Sequence, residues 1–192
     1  MSDWKDRLKR GLEPILMLPD PRPQVSAYHN MPCAIFYYPP EDELSVRSEV
    51  RLLATRLEQS GKRVTQISLA DCLSEALAAS GLTQERIADA ERRVGVEKMA
   101  DTVHAVISRR QPLDDAVAAK VPKDANPQRD IVFIVRAGAL FPFYRTSSLL
   151  EQLSGKTTVP TILFYPGELE GATGLRFMGL LDAEHNYRPK IF

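Results

Sequence analysis

DIVFIV, residues 130–135, is the stretch whose reading decides the fold. It is a β-branched and aromatic run between polar flanks, without the alternation of a strand that shows one face to water, so it reads as a strand covered on both faces. Residues 145–153 follow with helical spacing, and residues 158–165 (TVPTILFY) form a second run of the same kind. Strand, helix, strand in that order predicts parallel pairing with a right-handed crossover.

Upstream, residues 33–38 (CAIFYY) are a short apolar and aromatic run closed by Pro39 and Pro40, which cannot continue a ladder, and this is read as the first strand. Val46, Val50, Leu53 and Leu57 then fall on one helical face, and Gly61 stands where a helix end calls for a left-handed residue. Residues 62–69 read as a second strand near the sheet edge, with Val64 and Ile67 as core residues. Residues 71–121 are helical in composition, broken at Gly81, Gly95 and Pro112, and predict three or four helices. After residue 175 the tail adds one or two short strands, with GELEGATG (167–174) as a turn-rich lead-in. The class is α/β: a mostly parallel open sheet with helices on both faces, a Rossmann-like three-layer arrangement, and a helical insertion between the second and third strands. Residues 33–192 form one domain, and residues 1–32 form an amphipathic arm and a Pro-rich linker, with four prolines in PDPRPQVSAYHNMP (19–32).

Composition narrows the function classes. Lys plus Arg and Asp plus Glu balance at 25 each, so there is no global field drawing the chain onto phosphate backbones, and the isolated protein is expected to bind duplex DNA weakly. Cys33 and Cys72 lie apart in apolar surroundings, which suits buried thiols and a cytoplasmic, reducing compartment better than a disulfide framework. The charged residues among the first eighteen exclude a signal-peptide core, and no apolar run approaches membrane length.

If the strands are parallel, Pro39-Pro40-Glu41, Arg136-Ala137-Gly138 and Pro166-Gly167-Glu168 leave the sheet along one edge, the edge at which open α/β sheets bind ligands. Glu41, Glu168 and Glu170 either meet there or form a solvated rim. Gly155-Lys156-Thr157 has the end of a P-loop but lacks its first glycine, the position being Leu150, and it precedes a strand instead of following one. It reads as a helix-ending turn, and since it is the only P-loop-like segment, no specific nucleotide binding is expected. His29, His104 and His185 are too scattered for a metal set, and neither a GxSxG elbow nor a dinucleotide fingerprint is present. No catalytic residue, metal or cofactor is expected, and the leading reading is a non-enzymatic partner-binding subunit; the alternatives are a nucleotide- or phosphoester-processing enzyme with an unrecognised site and a DNA-contacting module.

FYYPPE (36–41), GALFPFYR (138–145), FYPGELEG (164–171), LRFMG (175–179) and HNYRPKIF (185–192) resemble, in order, the BrxB family of BREX bacteriophage-defence systems. The resemblance runs from about Ala34 to the end of the chain. It implies membership of a multi-protein bacterial assembly that marks its own DNA by methylation and blocks phage replication. It also implies association with PglZ, a larger component similar to alkaline-phosphatase-type metalloenzymes, and carries no catalytic residue.

The candidate residues are therefore recognition residues. Arg136 ends the central strand, and Arg145 follows Phe141, Pro142, Phe143 and Tyr144, where a guanidinium beside aromatic surface can anchor a protein interface or stack on a base. Arg176 and Arg188 are weaker candidates of the same kind. The competing reading is that these arginines pair with local carboxylates while Phe141 and Tyr144 fill the core. Trp4, Leu8, Leu12 and Ile15 align on one helical stripe, which either packs on its own domain or docks a partner.

Overall fold

The computed structural model describes residues 3–26, 32–185 and 188–192. A short helix, α1 (Asp3–Asp6), passes through a π turn (Arg7–Leu12) into α2 (Glu13–Leu16), and α3 (Arg22–Val25) follows. Then come β1 (Cys33–Tyr38), α4 (Glu43–Gln59) and β2 (Arg63–Ser68). The insertion holds α5 (Leu69–Ala79), α6 (Gln84–Val94), α7 (Val96–Ala105) with a π continuation, and α8 (Leu113–Ala118). The chain ends with β3 (Asp130–Val135), α9 (Thr146–Gln152), β4 (Thr161–Glu170), β5 (Gly174–Phe177) and β6 (Lys190–Ile191).

The strand order is β2-β3-β4-β1-β6, all neighbours parallel, with β5 antiparallel to the far end of β4. This is the expected three-layer α/β fold. Along β1, β3 and β4 successive side chains feed two separate cores, as the period of two in a strand requires. Cys33, Ile35, Val132, Ile134, Leu163 and Tyr165 face the layer made by α5, α7, α8 and α9. Ala34, Phe36, Ile131, Phe133, Ile162 and Phe164 face α4 and the N-terminal arm. Gly61 takes a φ of 91° after α4, as its position in the sequence predicts.

Two expectations need correction. GELEGATG is not a lead-in of turns: β4 runs on to Glu170, and the tight turn occupies only residues 171–173. Past Pro166 the strand has outrun β1, and β5 takes over its pairing from Gly167↔Phe177 to Glu170↔Gly174, so the extension keeps its ladder. Gly167 is required there by space, since a Cβ would lie 2.3 Å from the Arg176 carbonyl oxygen and 2.4 Å from the Tyr165 ring.

The second correction concerns the arm. Trp4, Leu8 and Leu12 do not form a free docking stripe; they are buried with Leu16 against Phe36, Val50 and Phe164. Strict steps of four drift around a pure α-helix, and the wider π turn brings them back into line, which puts Leu16 instead of Ile15 at the end of the stripe. Trp4 Nε1 donates to Asp42 Oδ2 at 2.9 Å, and the Arg56 guanidinium of α4 holds Glu13 in two bonds of 2.7 and 2.8 Å. Arg7 donates to the carbonyls of Phe192 (2.7 Å) and Tyr37 (3.0 Å) with its guanidinium 3.9 Å from the Tyr37 ring centre, so the arm also ties down the C-terminus.

At the other end of the strands Asp130, with 2 % of its side chain exposed, accepts from Arg63 and from the Asn126 amide. Burial alone would raise its carboxyl pKa, but bonds from Arg63, Asn126 and Arg129 outweigh it and hold the group below the usual carboxylate range. The depressed value means that this contribution to stability is complete above the unfolded carboxyl value and disappears as pH falls through the folded one. Urea unfolding of wild type and Asp130→Asn across the acid range should show a smaller loss of stability below about pH 4 in the variant. Equal acid dependence would remove Asp130 from that role. Leu8→Ala should cost about 2–5 kcal/mol and Trp4→Ala about 3–5 kcal/mol in the same assay, as full core positions do.

Candidate functional site

The C-terminal edge of the sheet is where three strand ends were expected to converge, and two of them do so as loops. β1 ends at Tyr38 and turns through Pro40–Asp42 into α4, while β3 ends at Val135 and turns through Ala137–Leu140. The third, Pro166-Gly167-Glu168, stays in the β4–β5 ribbon and roofs the turn after β3: Met178 N–H donates to the Pro166 carbonyl at 2.9 Å, and a Cβ on Gly138 would lie 3.4 Å from Met178 Sδ. Glu41, Glu168 and Glu170 are exposed, the solvated rim of the two alternatives.

The aromatic segment is mostly internal. Tyr144 is buried, its hydroxyl donating to Gln152 Oε1 at 2.8 Å and its ring 5.9 Å from His104. Burial, with the nearby Asp114 charge, pushes its hydroxyl pKa up to about 12. Phe141 is half-buried and packs edge-on against Phe177 at 6.1 Å. Arg145 is the exposed member: 55 % of its side chain is accessible, and it pairs with Glu184. Arg176 lies 3.7 Å from Glu170 Oε2, and Arg188 is exposed beside residues 186–187, which fall outside the described residues, as does His29.

Arg136 has a different setting. It adopts the left-handed conformation (φ 60°, ψ 39°) at the end of β3, and its Nη1 lies 3.2 Å from Asp71 Oδ1. Between them and α4 is a cavity of about 290 Å³ whose polar lining is Arg47, Arg51, Gln66, Ser68, Asp71 and Arg136. Ser68 caps α5 by accepting from the Asp71 N–H at 3.3 Å. Sequence reading missed Arg47 and Arg51, having used α4 only for its apolar face; their spacing of four around Val50 was the available signal.

Groups that could act chemically are mostly held in structural roles. Lys156 bridges Asp114 and Asp115, and Gly155 has a φ of 78°, which makes GKT the helix-ending turn that was expected. Burial pushes the Cys33 thiol up to about 12 and the Cys72 thiol up to about 11, so neither is a thiolate near neutral pH. His104 Nδ1 bonds the Phe143 carbonyl at 2.8 Å. Among the described residues no group of three His, Cys, Asp or Glu side chains is placed to hold a metal ion, and no helix is long and apolar enough to cross a membrane.

The family model described as "BREX protein BrxB" matches residues 65–191, which takes in GALFPFYR, FYPGELEG and LRFMG but not FYYPPE. A protein of that description from Bacillus cereus (strain H3081.97) is 28 % identical over 156 residues, 80 % of this chain and 79 % of the relative. Another, from Escherichia coli O9:H4 (strain HS), is 32 % identical over 144 residues, 71 % of this chain and 66 % of the relative. No solved structure matches. The matched span starts in β2 and ends in β6, enclosing the helical insertion, the turn after β3 and the β4–β5 ribbon, and on that match the chain belongs to the BrxB family of BREX proteins.

Proposed function

We propose that this chain is a non-enzymatic, partner-binding subunit of a BREX bacteriophage-defence assembly, with a PglZ-like protein of the alkaline-phosphatase superfamily as its main partner. The observation that carries the reading is the family match across residues 65–191. The state of the chemically capable groups supports it: the thiols are protonated near neutral pH, and Lys156 is engaged by two aspartates. The protein works in the cytoplasm in this reading, as thiol cysteines and phage DNA both suggest.

A docking surface needs exposed apolar area beside a charged rim. The segment ends carrying Arg145 and Glu184 offer both kinds of group, because Leu180, 70 % exposed, lies in the turn before Glu184, and the half-buried Phe141, four residues before Arg145, packs on Phe177. An arginine already held by a carboxylate is pre-ordered for a partner's acidic or carbonyl groups.

Co-expression with a tagged PglZ-like partner should yield a complex that survives size-exclusion chromatography. Arg145→Ala should weaken it by about 1–2 kcal/mol or more while the variant keeps the wild-type melting curve. A folded wild-type chain that elutes alone at tens of micromolar would end the adaptor reading. Lys156→Ala is a contrasting probe: it should lower stability by leaving buried Asp114 without its cation, with complex formation by the folded fraction unchanged.

A further inference from the structure

We propose that the cavity between α4 and the ends of β2 and β3 binds a phosphate monoester dianion, the group presented by a free nucleotide or by the 5′-phosphorylated end of a nucleic-acid strand. The lining brings together three guanidinium groups, Arg47, Arg51 and Arg136, with a single carboxylate, Asp71. Within this concave lining the positive charges exceed the negative by two, and the one carboxylate is already paired with Arg136 at 3.2 Å.

Neither α4 arginine of the lining forms an ion pair with an acid of its own helix. Arg47 and Arg51 stand at i and i+4, where like charges repel. Glu43, one turn before Arg47, accepts the Tyr38 hydroxyl and keeps its charge but forms no ion pair with Arg47, and Glu49 is held by Arg56 at 3.1 Å. Arg51 has Ser48, Ala54 and Thr55 as the other neighbours at helical spacing. Among the described residues Arg47 and Arg51 take part in no ion pair.

The ligand class follows from charge and donor geometry. Two surplus charges are matched by one monoester dianion, whereas a lone carboxylate or a phosphodiester, each a single anion, leaves one of them exposed to repulsion. Guanidinium forks bind phosphate oxygens in pairs, and the Ser68 hydroxyl and Gln66 amide add neutral donors. The site opens at the first turn of α5, an eleven-residue helix whose peptide dipoles favour an anion there. Arg136 holds a backbone conformation that glycine would adopt without strain, so its side chain is kept at this corner against a local preference. The site is remote from Lys156 and does not depend on the partner-binding role.

Calorimetric titration of the full chain at low ionic strength, with inorganic phosphate and with AMP, tests the proposal. Saturable binding is expected, weakened about tenfold or more by Arg51→Gln and by Arg136→Gly, as loss of one charge-assisted bond implies. Arg136→Gly separates binding from folding, since glycine suits φ 60°: its melting temperature without ligand should equal or exceed that of wild type while the phosphate-induced rise disappears. A short oligonucleotide carrying a 5′-phosphate identifies the source. Binding much tighter than that of AMP assigns a strand end, and equal or weaker binding assigns a free nucleotide. The proposal is overturned if neither phosphate nor AMP binds saturably up to about 20 mM, well beyond a useful affinity. It is also overturned if both arginine variants bind as wild type does, or if a 5′-hydroxyl oligonucleotide binds as tightly as the phosphorylated one.

Discussion

A parallel sheet has to be covered on both faces, and nearly every feature of this chain follows from how that covering is found. One face is covered by the long insertion between β2 and β3 together with α9. The other has only α4 from within the β-α run, which leaves the part of the sheet over β1 and β4 short of an apolar layer. The N-terminal arm fills it, contributing Trp4, Leu8, Leu12 and Leu16 to the core that also holds Phe36 and Phe164. An amphipathic helix at the end of a chain is open to two uses, and the unmet demand of the sheet decides between them here.

Much of this was legible because burial on both faces leaves a mark in sequence. DIVFIV and CAIFYY have no polar alternation, and their strands lie inside the sheet; RVTQIS is mixed, and β2 lies at the edge. Gly61 and Gly155 were legible for a backbone reason, since both take positive φ after a helix. What was not legible depends on partners distant in sequence. Nothing in GELEG marks it as strand, because its pairing with β5 is set by where β1 stops. For Arg145 and Arg136 the carboxylates that pair with them, Glu184 and Asp71, are 39 and 65 residues away and leave no mark in the local sequence.

Three of the blocks that carry the family likeness inside the matched span also meet in space. Gly167 admits β5 against β4, Met178 closes over Gly138, and Phe177 receives Phe141 while packing at 5.3 Å on Tyr165. FPFYR, FYPG and LRFMG therefore form one packed corner, with a structural reason for its aromatic and glycine positions. Of this corner's residues Arg145 is turned outward, while Tyr144, Tyr165 and Phe177 are buried in making it rigid.

Charge is arranged differently at the two ends of the sheet. Where strands begin, several cations meet acids: Arg63 with Asp130 and Asp124 at the start of β2 and β3, and Lys156 with Asp114 and Asp115 just ahead of β4. Where β2 and β3 end, Arg47, Arg51 and Arg136 line a cavity with one exposed aspartate, which pairs with Arg136. Net neutrality over the whole chain conceals this asymmetry, because the pairing that stabilises one edge consumes acids that the other edge lacks. Exposed pairs add little to stability, so the surplus at the strand ends costs the fold little when empty and leaves the edge ready for an anion.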